Sequence, residues 1–292
     1  MSNYSIKDLE QLSGIKAHTL RIWEQRYNLL NPKRTDTNIR YYDDADLKLI
    51  LNVAMLNAHG IKISKIAAMS PEDISEEIIK LTDQSEDHND LIQALTICMI
   101  ELDEERFEKV LSTIILKMGF EDTILNVIYP FLSKIGILWQ TGAISPAQEH
   151  FISNLIRQKL IVAIDGQMGN NNGKSFMLFL PEGELHELSL LFSCYLIKKH
   201  GHKVIYLGQS TPKQDLISVY NKQKPDYLLT VITSVPAGEQ VQEYVNLLGE
   251  KFSNAEIFVS GLQALDQSLT IPPNIRLLTF AKEIKSILVQ MD

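Results

Sequence analysis

From residue 175 to the C-terminal end, apolar runs of strand length alternate with amphipathic runs of helix length. No other feature of the chain constrains its fold as strongly. The first unit, SFMLFLPEGELHELSLLFSCYLIKK (175–199), reads as a buried strand (176–180), a polar loop (181–187) and an apolar helix (188–199). Strand-like runs recur at 202–207, 227–233, 256–259 and 276–279, with helical stretches at 216–220, 240–251 and 281–289. Strands separated by helices cannot pair as hairpins, so this alternation predicts a doubly wound parallel sheet. Ligands of such sheets bind beyond the carboxyl ends of the strands. The first loop there carries Glu182, Glu184, His186 and Glu187. A carboxylate two residues before a histidine can orient one ring nitrogen and leave the other for a metal, although a lone loop histidine is more often simply solvated.

Residues 91–164 are helical in pattern almost throughout. Four apolar stripes stand out: Leu91, Leu95, Cys98, Met99; Phe107, Val110, Leu111, Ile114, Ile115; Ile124, Ile128, Phe131, Leu132, Ile135, Leu138; and Ile152, Leu155, Ile156, Leu160. They predict a four-helix bundle. Within it Trp139 is followed after nine residues by Glu149-His150. Taken alone, such a tryptophan is usually core and such a Glu-His pair usually solvated. The polar, acidic stretch before the bundle, residues 69–90, reads as a linker or a weakly held helix plus a loop, with His88 solvated.

At the N-terminus, Ile6, Leu9 and Leu12 mark one helix capped by Ser5, and Leu20, Trp23 and Tyr27 mark a second after a turn at Gly14. This is a helix-turn-helix pattern. Its second helix exposes His18, Thr19, Arg21 and Arg26, which can reach base edges or phosphates. Residues 30–44 then suggest a small hairpin, or wing, with Asp36-Thr37-Asn38 at its tip and Lys33, Arg34 and Arg40 along it. Asp43 or Asp44 caps the next helix. Residues 1–69 hold ten Lys/Arg against seven Asp/Glu, whereas the rest holds 18 against 29, so a basic module is attached to an acidic protein of net charge -8. That asymmetry suits nucleic-acid binding by the N-terminal module alone.

The 292 residues predict a multidomain α plus α/β protein: a DNA-binding domain (1–75), a linker (76–90), a helical bundle (91–168) and an α/β domain (169–292). Cys98 and Cys194 lie in apolar helical patterns and are expected to be free, buried thiols. With no apolar run of eighteen residues and no signal-like start, the expectation is a cytoplasmic protein without a membrane partner.

TLRIWEQRY (19–27) and IRYYDDADL (39–47) resemble the DNA-binding module of the MerR family. The resemblance implies that Arg21 and Arg40 contact phosphates, that the surface around Ala17, His18 and Arg26 meets the groove, and that Tyr41 or Tyr42 packs at the wing base. It also implies a double-stranded pseudo-palindromic operator bound by a dimer. Trp23 and Tyr41 read more simply as core residues.

Glu184-Leu-His186-Glu-Leu-Ser189 resembles the D-x-H-x-x-G signature of cobalamin-binding domains, with Thr230-Val-Ile232 and Ser260-Gly261 in place of its S-x-L and G-G continuations. The resemblance implies that His186 ligates cobalt from below and that Glu184, Ser189, Thr230, Ile232, Ser260 and Gly261 surround the cofactor. Ser260, in place of glycine, is expected to narrow the pocket for the nucleotide tail.

The W-x9-E-H pattern, lying between these two modules, resembles the CarH/LitR-like photoreceptor regulators. There the bundle caps adenosylcobalamin, which implies that Trp139 and Glu149 contact the adenosyl group and that His150 is near it. Gln140 stands where light-sensitive members carry a cobalt-capping histidine, so a bis-histidine state is expected to be absent or to use His150. The resulting expectation is a repressor, not an enzyme, controlled by adenosylcobalamin and light and assembling as a dimer or tetramer. One alternative is a regulator that lost the ligand and uses its C-terminal half for oligomerisation or for an antirepressor protein. A corrinoid carrier subunit is disfavoured by the DNA-binding module.

Overall fold

The structure is a computed structural model that describes residues 3–291 apart from 36, 85–86, 141–143, 168–172, 266–267 and 280. Asp36 of the wing tip, residues 85–86 of the acidic stretch, Gly142 and Ala143, and the junction 168–172 between the expected bundle and α/β domain lie outside the described residues, as does the side chain of Gln140. Two compact units, Met1–Ser153 and Asn154–Asp292, divide the chain.

Reciprocal caps build the first unit. Helix α1 (Ile6–Ser13) starts where Ser5 Oγ accepts the Asp8 N–H at 3.3 Å and the Asp8 carboxylate accepts the Ser5 N–H at 2.6 Å. It ends at Gly14, whose φ of 75° is the left-handed value that glycine adopts without strain. Helix α2 (Ala17–Tyr27) has no side-chain cap of its own. Glu10 reaches across from α1 instead, accepting the Ala17 N–H at 3.0 Å and Lys16 Nζ at 3.1 Å. These bonds, the Ala17 amide first, hold the Glu10 carboxyl below the usual range.

Strands β1 (Lys33–Arg34) and β2 (Arg40–Tyr41) pair antiparallel as the expected wing. Tyr42, not Tyr41, is the core residue at the wing base. It is fully buried and exchanges backbone hydrogen bonds of 2.8 and 2.9 Å with Tyr4, whereas Tyr41 is half-buried. Helix α3 (Asp44–Ala58) takes Asp43 as its cap, paired reciprocally with Asp46 at 3.1 Å.

After the short α4 (Ile63–Ile66), part of the stretch read as a linker or a weakly held helix plus a loop forms α5 (Pro71–Gln84). The reason is legible afterwards: Ser70 and Asp73 form another reciprocal cap, at 3.1 and 3.2 Å, with Pro71 at the first helical position. Ile74 and Ile78 are buried as α5 packs on α3 and on α6 (His88–Glu101). Helices α7 (Glu104–Met118), α8 (Phe120–Thr123), α9 (Tyr129–Gln140) and α10 (Pro146–Asp165) follow. Most members of the four predicted stripes are buried, with Val110, Ile115 and Leu132 half-buried. The third stripe is not one continuous α-helix. A π-helical turn, Ile124–Ile128, interrupts it, with the Tyr129 N–H bonded to the Ile124 carbonyl.

Helices α3 and α6 meet along a polar seam. The Gln93 amide donates to the Leu51 carbonyl, and Lys48 pairs with Glu101. His59 places Nδ1 2.9 Å from the Met55 carbonyl and Nε2 3.0 Å from the Asp90 carboxylate. Both ring nitrogens therefore meet oxygens, one from each helix segment.

The second unit is the predicted parallel sheet. Its strands are β3 (Ser175–Pro181), β4 (Lys203–Thr211), β5 (Tyr227–Val231), β6 (Glu256–Ser260) and β7 (Ile275–Leu277), in the order β4-β3-β5-β6-β7. Helices α11 (Leu188–Lys199), α12 (Lys213–Gln223), α13 (Gln240–Lys251), α14 (Leu262–Leu265) and α15 (Ala281–Met291) connect or follow them. Central β3 is apolar on both faces, as burial from both sides demands, and Met177 and Phe179 pack with Leu216, Val245 and Leu248. Strand order reverses at β3, which puts the crevice at the carboxyl ends of β3 and β5. β5 ends two residues before the predicted position: the Ile232 N–H still bonds the Ser260 carbonyl, but those of Thr233 and Ser234 serve the β3–α11 loop instead of the ladder.

Candidate functional site

Glu184 organises the crevice. Its carboxylate is 1 % exposed and accepts six hydrogen bonds. Oε1 takes the N–H of Leu185 (2.9 Å), the N–H of His186 (3.0 Å) and His186 Nδ1 (2.6 Å). Oε2 takes the N–H groups of Thr233 (2.9 Å), Ser234 (2.6 Å) and Val235 (3.0 Å), so one side chain ties the β3–α11 loop to the loop after β5. Burial alone would raise this carboxyl, but the bonds from His186, Ser234 and Val235 outweigh it and hold it at about 2. The His186 ring, 61 % exposed, is thereby turned by a carboxylate at Nδ1, the arrangement that prepares a histidine to ligate a metal through Nε2.

The neighbouring Glu187 is also buried. It accepts Arg157 Nε from α10 and the Tyr206 hydroxyl at 3.1 Å from β4. Burial, with Glu187 beside it, pushes the Tyr206 phenol well above its usual range. Neither this network nor the capture of 233–235 by Glu184 carries a local sequence signal, because both join residues far apart in the chain.

The other crevice positions fit a cofactor in part. Thr230 is fully buried, and its Oγ1 has no hydrogen-bond partner among the described residues, so a ligand atom could satisfy it. The Ile232 N–H bonds the Ser260 carbonyl at 2.7 Å, which holds the ends of β5 and β6 together. Gly261 has a φ of 104°, and a Cβ there would lie 2.4 Å from the Ile232 carbonyl oxygen. The protein's own backbone therefore requires that glycine. Ser260 turns its hydroxyl to the Leu278 carbonyl at 2.8 Å. Ser189 is half-buried in the first turn of α11.

In the first unit Trp139 closes α9 with 53 % of its surface exposed, so it is not the core tryptophan that packing alone would predict. Glu149 and His150 open α10 with side chains 34 % and 74 % exposed and approach each other to 3.6 Å. Both thiols are buried and unpaired, and burial pushes Cys98 up to about 12 and Cys194 to about 11. No helix among the described residues is long and apolar enough to cross a membrane.

On the helix-turn-helix, His18, Arg21 and Arg26 are exposed, as are Lys33, Arg34 and Arg40 of the wing, whereas Ala17 and Thr19 are half-buried. The wing cations have internal partners. Lys33 pairs with Asp43, Arg34 donates to Asn38 Oδ1 at 2.7 Å, and Arg40 lies 3.9 Å from Glu24, which also accepts the Tyr42 hydroxyl at 3.2 Å.

Comparison with known proteins matches two segments of the chain. Residues 4–73 match the family model "MerR HTH family regulatory protein", and residues 91–163 match the model "B12 binding domain". The chain is 26 % identical over 231 residues to the HTH-type transcriptional repressor CarH of Myxococcus xanthus, covering 77 % of each chain. It is 26 % identical over 237 residues to the repressor CarA of the same organism, covering 80 % of this chain and 78 % of that one. The solved structure of the monomethylamine corrinoid protein of Methanosarcina barkeri is similar in fold, with a TM-score of 0.56 at 11 % identity over 70 % of this chain and all of that one. The chain thus joins a segment that matches the MerR HTH model to a helical segment that matches the B12-binding model.

Proposed function

We propose that this protein is a transcriptional repressor that binds operator DNA through α2 and the wing and is controlled by adenosylcobalamin and light. The observation that carries the reading is the Glu184–His186 pair: a buried carboxylate fixes an exposed imidazole at the switch point of a parallel sheet. Bound adenosylcobalamin supplies a cobalt–carbon bond that light breaks. His186 offers Nε2 to cobalt while Glu184 holds the proton at Nδ1. Thr230 meets the nucleotide tail, in a pocket bordered by Ser189, Ile232, Ser260 and Gly261. Trp139 gives an aromatic wall to the adenosyl group, Glu149 accepts hydrogen bonds from it, and His150 stands beside them. Arg21, Arg26, Arg40, Lys33 and Arg34 take phosphates.

Self-association as a dimer or tetramer matches a pseudo-palindromic operator. The cofactor favours the DNA-competent assembly only by its differential affinity for that assembly. The chain acts in the cytoplasm and carries out no catalysis of its own. Ser189 and Ser260 favour a second reading, in which the C-terminal half binds no corrinoid and instead oligomerises or receives an antirepressor protein.

Absorption spectra after incubation with adenosylcobalamin, in the dark and after green light, test the proposal when run with gel filtration of both samples. The expected result is a bound spectrum that changes on illumination together with a change in mass, and a dark spectrum altered by His186→Ala. A protein from which no corrinoid co-elutes refutes the cofactor reading and leaves the second one.

A further inference from the structure

The exposure pattern of α2 assigns base-reading roles that the basic residues alone do not reveal. Leu20 and Trp23 are buried and Tyr27 is half-buried, so these three mark the inner face. At about 100° per residue, the positions diametrically opposite are His18, Ile22 and Gln25. All three are exposed, Ile22 by 45 %. Arg21 and Arg26 fall on either side of this strip, and both are exposed. A central strip flanked by a cation on each side matches a major groove, whose floor presents base edges between two phosphate walls.

A single exposed isoleucine on a protein surface needs no explanation. This one lies at the middle of the strip, between two arginines, where a polar residue would serve solubility better. The apolar feature of a major-groove floor is the thymine C5-methyl group, and the purine edge that a glutamine amide matches with two hydrogen bonds is adenine N6/N7.

We propose that Ile22 packs on a thymine methyl and Gln25 pairs with an adenine, so each operator half-site carries a thymine and an adenine within reach of one helical turn. The inference rests on the DNA-binding reading above and goes beyond it by naming the bases. Arg21 and Arg26 set the helix in the groove, and His18 enters at its N-terminal end.

The test starts from full-length protein and a pool of random-sequence duplex DNA, from which the bound sequence is selected. Each selected thymine is then replaced by deoxyuridine, which removes only the methyl group. At one position per half-site this replacement should weaken binding about fourfold, the worth of one buried methyl. Ile22→Ala should bind thymine and deoxyuridine duplexes equally. Gln25→Ala should lose at least about fivefold of its preference at one A·T pair, the lower end of the range of one bidentate contact. A wild-type protein that binds duplex DNA but is indifferent to every thymine methyl, or an Ile22→Ala variant that keeps the methyl effect, overturns the proposal and leaves the DNA-binding reading standing. A protein that binds no duplex overturns both.

Discussion

Replacing Glu184 with glutamine should separate the two roles of that carboxylate. Glutamine keeps the shape but turns one acceptor oxygen into an NH2 donor. If that NH2 faces Thr233, Ser234 and Val235, three amide donors lose their acceptor and none can change its chemistry. If it faces His186, the two amides of Leu185 and His186 lose theirs, but the imidazole can switch tautomer, accept at Nδ1 and carry its proton on Nε2 instead. The second orientation costs less, and it removes the lone pair that would ligate cobalt.

A carboxyl held at about 2 against an ordinary 4.5 contributes about 3 kcal/mol of stability at neutral pH. The sign follows from the depressed value. The stability is fully present above the unfolded carboxyl range and is lost as pH falls through about 4.5 toward about 2, where the folded form also takes up the proton. Urea unfolding of the C-terminal unit in the full chain measures this. Glu184→Gln should lose about 3 kcal/mol at pH 7, and the gap to wild type should shrink as pH is lowered toward 3. The dark corrinoid spectrum of the variant should resemble that of His186→Ala. An unchanged stability at pH 7, or a gap that does not shrink in acid, refutes the reasoning.

Gly261→Ala should destabilise the protein by about 2 kcal/mol or more, read as a lowered Tm, because the new Cβ would meet the Ile232 carbonyl at a φ of 104°. Across the α3–α6 seam, a double-mutant cycle of His59→Ala and Asp90→Ala should return a coupling of about 1 kcal/mol, and additive effects would show that the pair is incidental. Arg21→Ala with Arg40→Ala should abolish operator binding while leaving the corrinoid spectrum unchanged, and each single variant should reduce the salt slope of DNA affinity by about one.

Much of this was legible locally. Ser5, Asp43 and Gly14 announced helix ends because capping is decided within a few residues. The stripes from Leu91 to Leu160 announced buried helix faces because apolar spacing reports which side faces the core. Helix α5 was the exception. Its acidic composition left a linker and a weakly held helix both open, while its stability comes from Ser70–Asp73 at one end and from Ile74 and Ile78 packed on other helices.

The candidate site divides in the same way. His186 and Glu184 stand two residues apart, so their pairing was readable from spacing. The three amides that fill the other half of Glu184 come from about fifty positions later and could be found only in space.

By itself, then, the sequence determined the order of modules, the parallel sheet, the helix-turn-helix and the histidine at the crevice, because each follows from periodicity, capping or short spacing. Only the tertiary structure decided that Tyr42 rather than Tyr41 anchors the wing, that Trp139 stays half exposed and that Gly261 answers to Ile232. Those outcomes depend on which faces are covered and which distant backbone groups converge, and a linear pattern carries no record of either.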